Sequence, residues 1–188
     1  MRLEIISRRP AGSPKAVPLL FVHGAFVGAA VWDAHFLAYF AEHGYSAHAV
    51  SLRGHGGSAG HESLSWHSLA DYVDDLRRTV AVLDAPPVLI GHSMGGMVVQ
   101  KYLEMHAVPG LVLMASVPPH GSLSALWGLW ASKPLLLGQL ALLQQFGPRF
   151  ANLSLMRELL FSQDTPTADI VHYFPCSMEN RTGPRWMR

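Results

Sequence analysis

The chain has 188 residues, 49% hydrophobic and 14% charged, enough for one domain with a substantial core and too few for two ordinary ones. Its 14 basic and 13 acidic residues leave a net charge of +1, which excludes a nucleic-acid partner recognised by charge and an acidic tail. One cysteine, Cys176, excludes an internal disulfide framework and, with no signal-peptide core in residues 1–10, leads to the expectation of a cytoplasmic protein.

Leu3 to Ser7 alternates weakly and predicts a first strand. Pro18-Leu19-Leu20-Phe21-Val22 is a continuous apolar run, as expected of a strand buried on both faces, and ends in His23-Gly24-Ala25-Phe26. Trp32, Phe36, Leu37 and Phe40 fall on one face of a predicted helix, with Gly44 as its C-terminal cap. Tyr45 to Val50 is the next strand, and Arg53-Gly54-His55-Gly56-Gly57-Ser58 is a glycine-rich loop at its end.

Ser68 starts a helix, with Asp71 three residues on, close to a capping box. Leu69, Tyr72, Val73, Leu76, Val80 and Leu83 keep an apolar stripe, while Asp74, Asp75, Arg77 and Arg78 read as the solvated face. Pro86-Pro87 stops this helix and launches a strand from Val88, which turns through Gly91-His92-Ser93-Met94-Gly95 into a helix running to about His106. Leu111 to Met114 is another apolar strand. Strict alternation of strand and helix predicts an α/β protein with a mostly parallel sheet. After Pro118-Pro119 the alternation stops. Residues 122–174 read as helices broken by Pro134, Gly147-Pro148 and Pro166. Lys133-Pro134, Gln139 and Gln144 interrupt the greasiest stretch, 123–146, so amphipathic helices are expected there and not a membrane span.

The run from Val88 to Gly96 carries the chemistry. Glycines two residues either side of Ser93 let strand and helix backbones approach closely and force the serine outward, its Oγ exposed. The amide of Met94, in the first turn of the new helix, then points toward negative charge developing beside Ser93. A bare Gly-x-Ser-x-Gly occurs by chance in roughly several per cent of chains this long. The companion loops make it specific.

Three motifs in order, each at the carboxyl end of a predicted strand, resemble the α/β-hydrolase superfamily over Pro18 to Pro119. His23-Gly24-Ala25 resembles its oxyanion loop, Arg53-Gly54-His55-Gly56 a following loop, and Gly91 to Gly96 its nucleophile elbow. The stretch Ala25 to Trp32 is similar to the esterase and lysophospholipase-like members. The resemblance implies Ser93 as catalytic nucleophile and the backbone amides of Ala25 and Met94 as the oxyanion hole. Gly91, Gly95, His23 and Gly24 then shape the elbow and loop, with His23 a buttress and not a proton carrier. A serine at the elbow disfavours dehalogenase and epoxide-hydrolase chemistry, which place Asp there. Ser51 departs from the pattern, since many relatives carry Asp two residues before the Arg-Gly pair.

The resemblance also implies a division into core (residues 1–119), helical cap (120–180) and tail (181–188). Phe26, Trp127 and Trp130 become candidates for an apolar substrate pocket. The family orders its triad as Ser, acid, His, and no strand-loop-Asp or strand-loop-His follows Ser93. The chain is therefore expected to be a partial α/β-hydrolase fold, the N-terminal part of a longer serine hydrolase acting on an ester or thioester with an apolar acyl part, and weakly active or inactive by itself. The alternative is a non-catalytic small-molecule-binding module. His106, His120 and His172 are candidate substitute bases, and His92, placed by strand alternation away from Oγ, reads as a packing residue. His55, His61 and His67 recur every six residues, which fits no common zinc signature. No metal and no cofactor are expected, and the expected partner is a small apolar ester-like substrate.

Overall fold

Short apolar strands, two of them buried at every position, build the molecule from the inside. A computed structural model describes residues 1–118, 131–146, 153–162 and 164–171. The strands are β1 (Glu4–Arg8), β2 (Leu19–Val22), β3 (Ala47–Ser51), β4 (Val88–His92) and β5 (Leu111–Met114). They form one sheet in the order β1-β3-β2-β4-β5, with β1 antiparallel to β3 and every other pair parallel. The mostly parallel α/β architecture expected from the alternation is present.

Leu20, Val22, Val50 and Leu89 project to one face of the sheet. There they meet Tyr72, Val73 and Leu76 of α3 (Leu69–Val80) and Val98, Val99 and Tyr102 of α4 (Met94–Leu103). Leu19, Phe21, Ala47, Ala49 and Ile90 project to the other face, against α1 (Ala30–Asp33) and α2 (Phe36–Glu42) through Trp32 and Leu37. Period-two alternation within continuous apolar runs thus supplies two cores from one sheet. Chain order runs outward from β2 to β3 and then back across β2 to β4. The order reverses between β2 and β4, where open α/β sheets form a crevice at the carboxyl ends of their strands.

Local signals hold where neighbours in sequence decide. Ser68 caps α3 with a full capping box: its Oγ accepts the Asp71 amide and its own amide donates to the Asp71 carboxylate. Gly44 takes φ +87° after α2. Two expectations need correction. The single helix expected over Trp32 to Phe40 is two, broken at His35 (φ −140°). The break keeps the aromatic face, because Trp32, Phe36 and Phe40 all still meet the Phe21 ring, with centroids 5.0–6.0 Å away. The stretch His61–Trp66, where the sequence suggests no element, forms 3-10 turns kinked at Ser63. Asp75, read as part of a solvated face, is fully buried.

β5 is the outer strand at its side of the sheet, and Leu111, Val112 and Leu113 are each about two-fifths exposed (38%, 46% and 42%). Later in the chain come α5 (Pro134–Phe146) and α6 (Leu153–Leu160), and Lys133, just before α5, pairs with Glu158 of α6. Among the described residues no helix is long and apolar enough to cross a membrane. Trp127 and Trp130, and residues 181–188, lie outside the described residues.

Candidate active site

Ser93 sits between the last residue of β4 and the first of α4 with φ 52° and ψ −117°. A non-glycine residue in that region costs on the order of 1–3 kcal/mol and persists only where its surroundings over-determine it. Here they do. The Ser93 amide donates to Met114 O at the end of β5 (3.0 Å), and its carbonyl accepts from Gly96 (3.1 Å), Met97 (3.3 Å) and Val117 (3.1 Å). The Gln100 amide group donates to Ser116 Oγ (2.8 Å), Val117 O (3.1 Å) and Gly96 O (3.2 Å), tying the loop after β5 to α4.

The glycines have specific steric reasons. A Cβ on Gly91 would lie 2.7 Å from Gly96 Cα and 2.8 Å from Gly95 O, so strand and helix could not cross as they do. A Cβ on Gly95 would collide with the Val22 and His23 carbonyls, which ties the start of α4 to the end of β2. A Cβ on Gly24 would sit 3.0 Å from His92 Nδ1 and 3.1 Å from Ser93 Cβ. Gly24 therefore lets the loop after β2 lie directly against Ser93. The sequence-predicted residues His23, Gly24, Gly91, Ser93, Met94 and Gly95 come together at the carboxyl ends of β2 and β4. Ala25 and Phe26 follow Gly24 in the same loop, and Phe26 is half-buried with φ 66°.

His23 is fully buried and spans two backbones. Leu52 N–H donates to His23 Nε2 (3.0 Å), so Nε2 carries no proton and Nδ1–H donates to Gly24 O (2.6 Å). Burial first, and the neighbouring His55 second, push its pKa down to about 3. Burial also lowers His55 and His92. The imidazoles around the Ser93 turn are neutral at physiological pH, and α4 carries no acidic residue in its first turn. The amide end of α4 thus supplies an unopposed positive potential beside Ser93.

Three other histidines are committed to the loop after β3, and His106 lies far away. His55 Nδ1 bonds Arg53 O (3.0 Å), His61 Nε2 bonds Gly56 O (3.0 Å) and His67 Nε2 bonds Gly60 O (2.9 Å). Among the described residues no three His, Cys, Asp or Glu side chains converge as a metal site. The His92 ring lies against Gly24 and edge-on to Trp32, with centroids 6.4 Å apart. His106 stacks on Tyr102 past the far end of α4, on the order of 15 Å or more from the Ser93 turn by helix rise. His120 and His172 lie outside the described residues.

Sequence reading missed two networks that hold these loops. Arg53 clamps Asp75 through Nε (2.9 Å), an Nη (2.7 Å) and its own amide (2.8 Å), and reaches Asp71 at 2.6 Å. The Asp75 bonds and burial pull in opposite directions on the guanidinium, and the bonds win, raising its pKa. The second network joins Glu4, Ser51 and Ala29. Both link residues eighteen or more positions apart, so no local pattern announces them.

The sequence profile described as Alpha/beta hydrolase family matches residues 19–187. A non-heme chloroperoxidase of Burkholderia pyrrocinia is 36% identical over 114 residues, which are 57% of this chain and 40% of that protein. The pimeloyl-[acyl-carrier protein] methyl ester esterase of Klebsiella pneumoniae is 35% identical over 104 residues, 53% of this chain and 37% of that protein. The chain thus spans less than half the length of these relatives. Among solved structures, MenH from S. aureus superposes with a TM-score of 0.69 at 18% identity, covering 93% of this chain and 65% of that one. A carboxylesterase from the thaumarchaeon Nitrososphaera gargenis gives 0.67 at 19% identity, covering 94% and 62%. With the parallel sheet, the switch point between β2 and β4 and a profile match over most of its length, the chain belongs to the alpha/beta hydrolase family.

Proposed function

We propose that this chain carries the nucleophile and oxyanion hole of a serine hydrolase acting on an ester or thioester with an apolar acyl part. Ser93 Oγ attacks the substrate carbonyl, and the Ala25 and Met94 amides stabilise the oxyanion; losing one such donor costs about 3–4 kcal/mol of transition-state stabilisation. The tetrahedral adduct collapses with cleavage of the C–O or C–S bond, and the leaving alcohol or thiol takes up the proton that Ser93 gave to the base. Water then cleaves the acyl–Ser93 ester to the carboxylic acid and free serine. The reading is carried by one observation: Ser93 is held at φ 52° between β4 and α4 with Gly24 against its Cβ. Two features support it. The site is neutral with a helix N-terminus facing it, and one relative is by name a methyl ester esterase.

A serine without a base is a weak nucleophile. His23 has both ring nitrogens engaged, and His55, His61 and His67 each hold a loop carbonyl. We place the base and its acid partner in chain following these 188 residues, in keeping with the span of about 40% of the chloroperoxidase's length. Hydrolysis of p-nitrophenyl butyrate by the monodisperse 188-residue chain and by the product of the extended reading frame tests this. The extended product is expected to turn over and to lose activity on Ser93→Ala. The shorter chain should fall about 10⁶-fold below it, the cost of a lost base in a serine protease. Ser93-dependent turnover by the shorter chain overturns the placement of the base. Turnover that survives Ser93→Ala overturns the nucleophile, and an inert extended product favours a binding module.

A further inference from the structure

Glu4 on β1 and Ser51 on β3 are directly opposite in the antiparallel pairing. Ser51 is fully buried and Glu4 half-buried. The Ser51 hydroxyl donates to Glu4 Oε2 (2.5 Å), and the same oxygen accepts the Gly57 amide (2.8 Å). With its only proton given to Glu4, Ser51 Oγ is left as an acceptor, and it takes the buried Ala29 amide at 2.8 Å. The donor direction of the whole chain is fixed: Ala29 N–H to Ser51 Oγ–H to carboxylate. A charged terminal acceptor polarises both bonds, which strengthens the relay beyond two neutral hydrogen bonds.

The surrounding glycines are tailored to this relay. A Cβ on Gly28 would lie 2.8 Å from Gly56 Cα and 3.0 Å from Ser51 Oγ, and one on Gly57 would collide with the Glu4 carboxylate. Gly56, at φ +50°, leaves the same kind of space beside Ser51 Oγ. Three glycines from two loops thus close around one hydroxyl–carboxylate pair. Ala29 ends the loop that begins at His23, whose other end is pinned by the His23 bonds to Gly24 O and Leu52 N. Between these two anchors lies Ala25.

We propose that Glu4 and Ser51 are positioning residues for the 23–29 loop: the carboxylate orients the hydroxyl, the hydroxyl holds the Ala29 amide, and the Ala25 amide is thereby fixed toward Ser93. The purpose given to Ala25 rests on the proposed hydrolase. The relay itself can be tested without it.

Amide hydrogen exchange, read residue by residue on the 188-residue chain, measures the relay directly. Glu4→Ala and Ser51→Ala are each expected to speed exchange at Ala29 by about tenfold or more, the scale of one lost charge-assisted bond. The double variant should add little to either, because the two residues act in series. Ser51→Asp alone should also speed exchange, since it sets two carboxylates face to face. In the Glu4→Ala background the same substitution should restore protection, its carboxylate taking the Ala29 amide directly. Should Glu4→Ala fail to fold, Glu4→Gln keeps the volume and removes the charge. The proposal is overturned if Ala29 exchange is unmoved, if it rises only as much as amides in α3 and α4, or if Ser51→Asp restores nothing. Exchange at Ala29 requires no reaction at Ser93, so an inactive esterase leaves this result standing, and an active one does not rescue it.

Discussion

His23 enters the fold as a neutral imidazole and must stay so. Protonating Nε2 would turn the acceptor of the Leu52 amide into a second donor in a site closed to water. Its pKa near 3 in the folded chain compares with about 6.5 unfolded. Between those values the unfolded chain holds a proton that the folded chain does not, so stability is full above about pH 6.5 and declines as pH falls toward 3. For this group alone the slope is about 1.4 kcal/mol per pH unit, or roughly 2 kcal/mol between pH 6.5 and 5. His48, His55 and His92 are also lowered and act in the same direction. Urea unfolding across that range is expected to show the decline. A His23→Gln variant, less stable at neutral pH, should show a shallower one, and an equal slope in both proteins would refute the assignment.

At the scale of elements, the contact of β4 with α4 sets the site. Gly91→Ala drives a methyl into the backbone of Gly95 and Gly96, which cannot swing aside as a side chain would. We expect a loss of about 2–3 kcal/mol, a Tm drop of roughly 6 °C. Gly138 in α5 has nothing within 4 Å of its missing Cβ. Gly138→Ala should instead gain about 0.5–1 kcal/mol from helix propensity. Thermal unfolding of the pair measures steric closure separately from the general effect of alanine, and equal shifts would contradict it.

The same elements show what a sequence can express. The capping box of α3, the apolar runs of β2 and β4 and the glycines around Ser93 depend on residues a few positions apart, and pattern alone places them. Asp75 shares a helix with exposed charges, and only Arg53, twenty-two residues earlier, draws it inside. Ser51 was legible as a departure from the family pattern, but not Glu4, which reaches it across a strand pairing. The histidines spaced by six, which fit no zinc signature, hold the carbonyls of one loop, a role that their spacing does not announce. Site residues fixed by turns were visible; those fixed by tertiary partners were not.

Among the described residues, the sheet ends in antiparallel β1 on one side and in parallel β5 on the other. At the first edge β1 runs antiparallel, and its last residue Arg8 and the following Arg9 form ion pairs with Asp33 and Asp84. β5 presents three apolar side chains that are about two-fifths exposed, yet its Met114 carbonyl and the loop after it hold the Ser93 backbone. An apolar edge invites pairing with another strand, and here such pairing would bear on the same residues that keep Ser93 strained. Ser93, the two loops beside it and this edge form one structural unit.

Covalent labelling tests that unit's central claim most directly. An alkyl fluorophosphonate should react with the extended reading-frame product by attack of Ser93 Oγ at phosphorus with loss of fluoride. Peptide mass spectrometry is expected to find one adduct, on Ser93, absent from Ser93→Ala. An adduct on a different residue, or equal labelling of Ser93→Ala, would contradict the account.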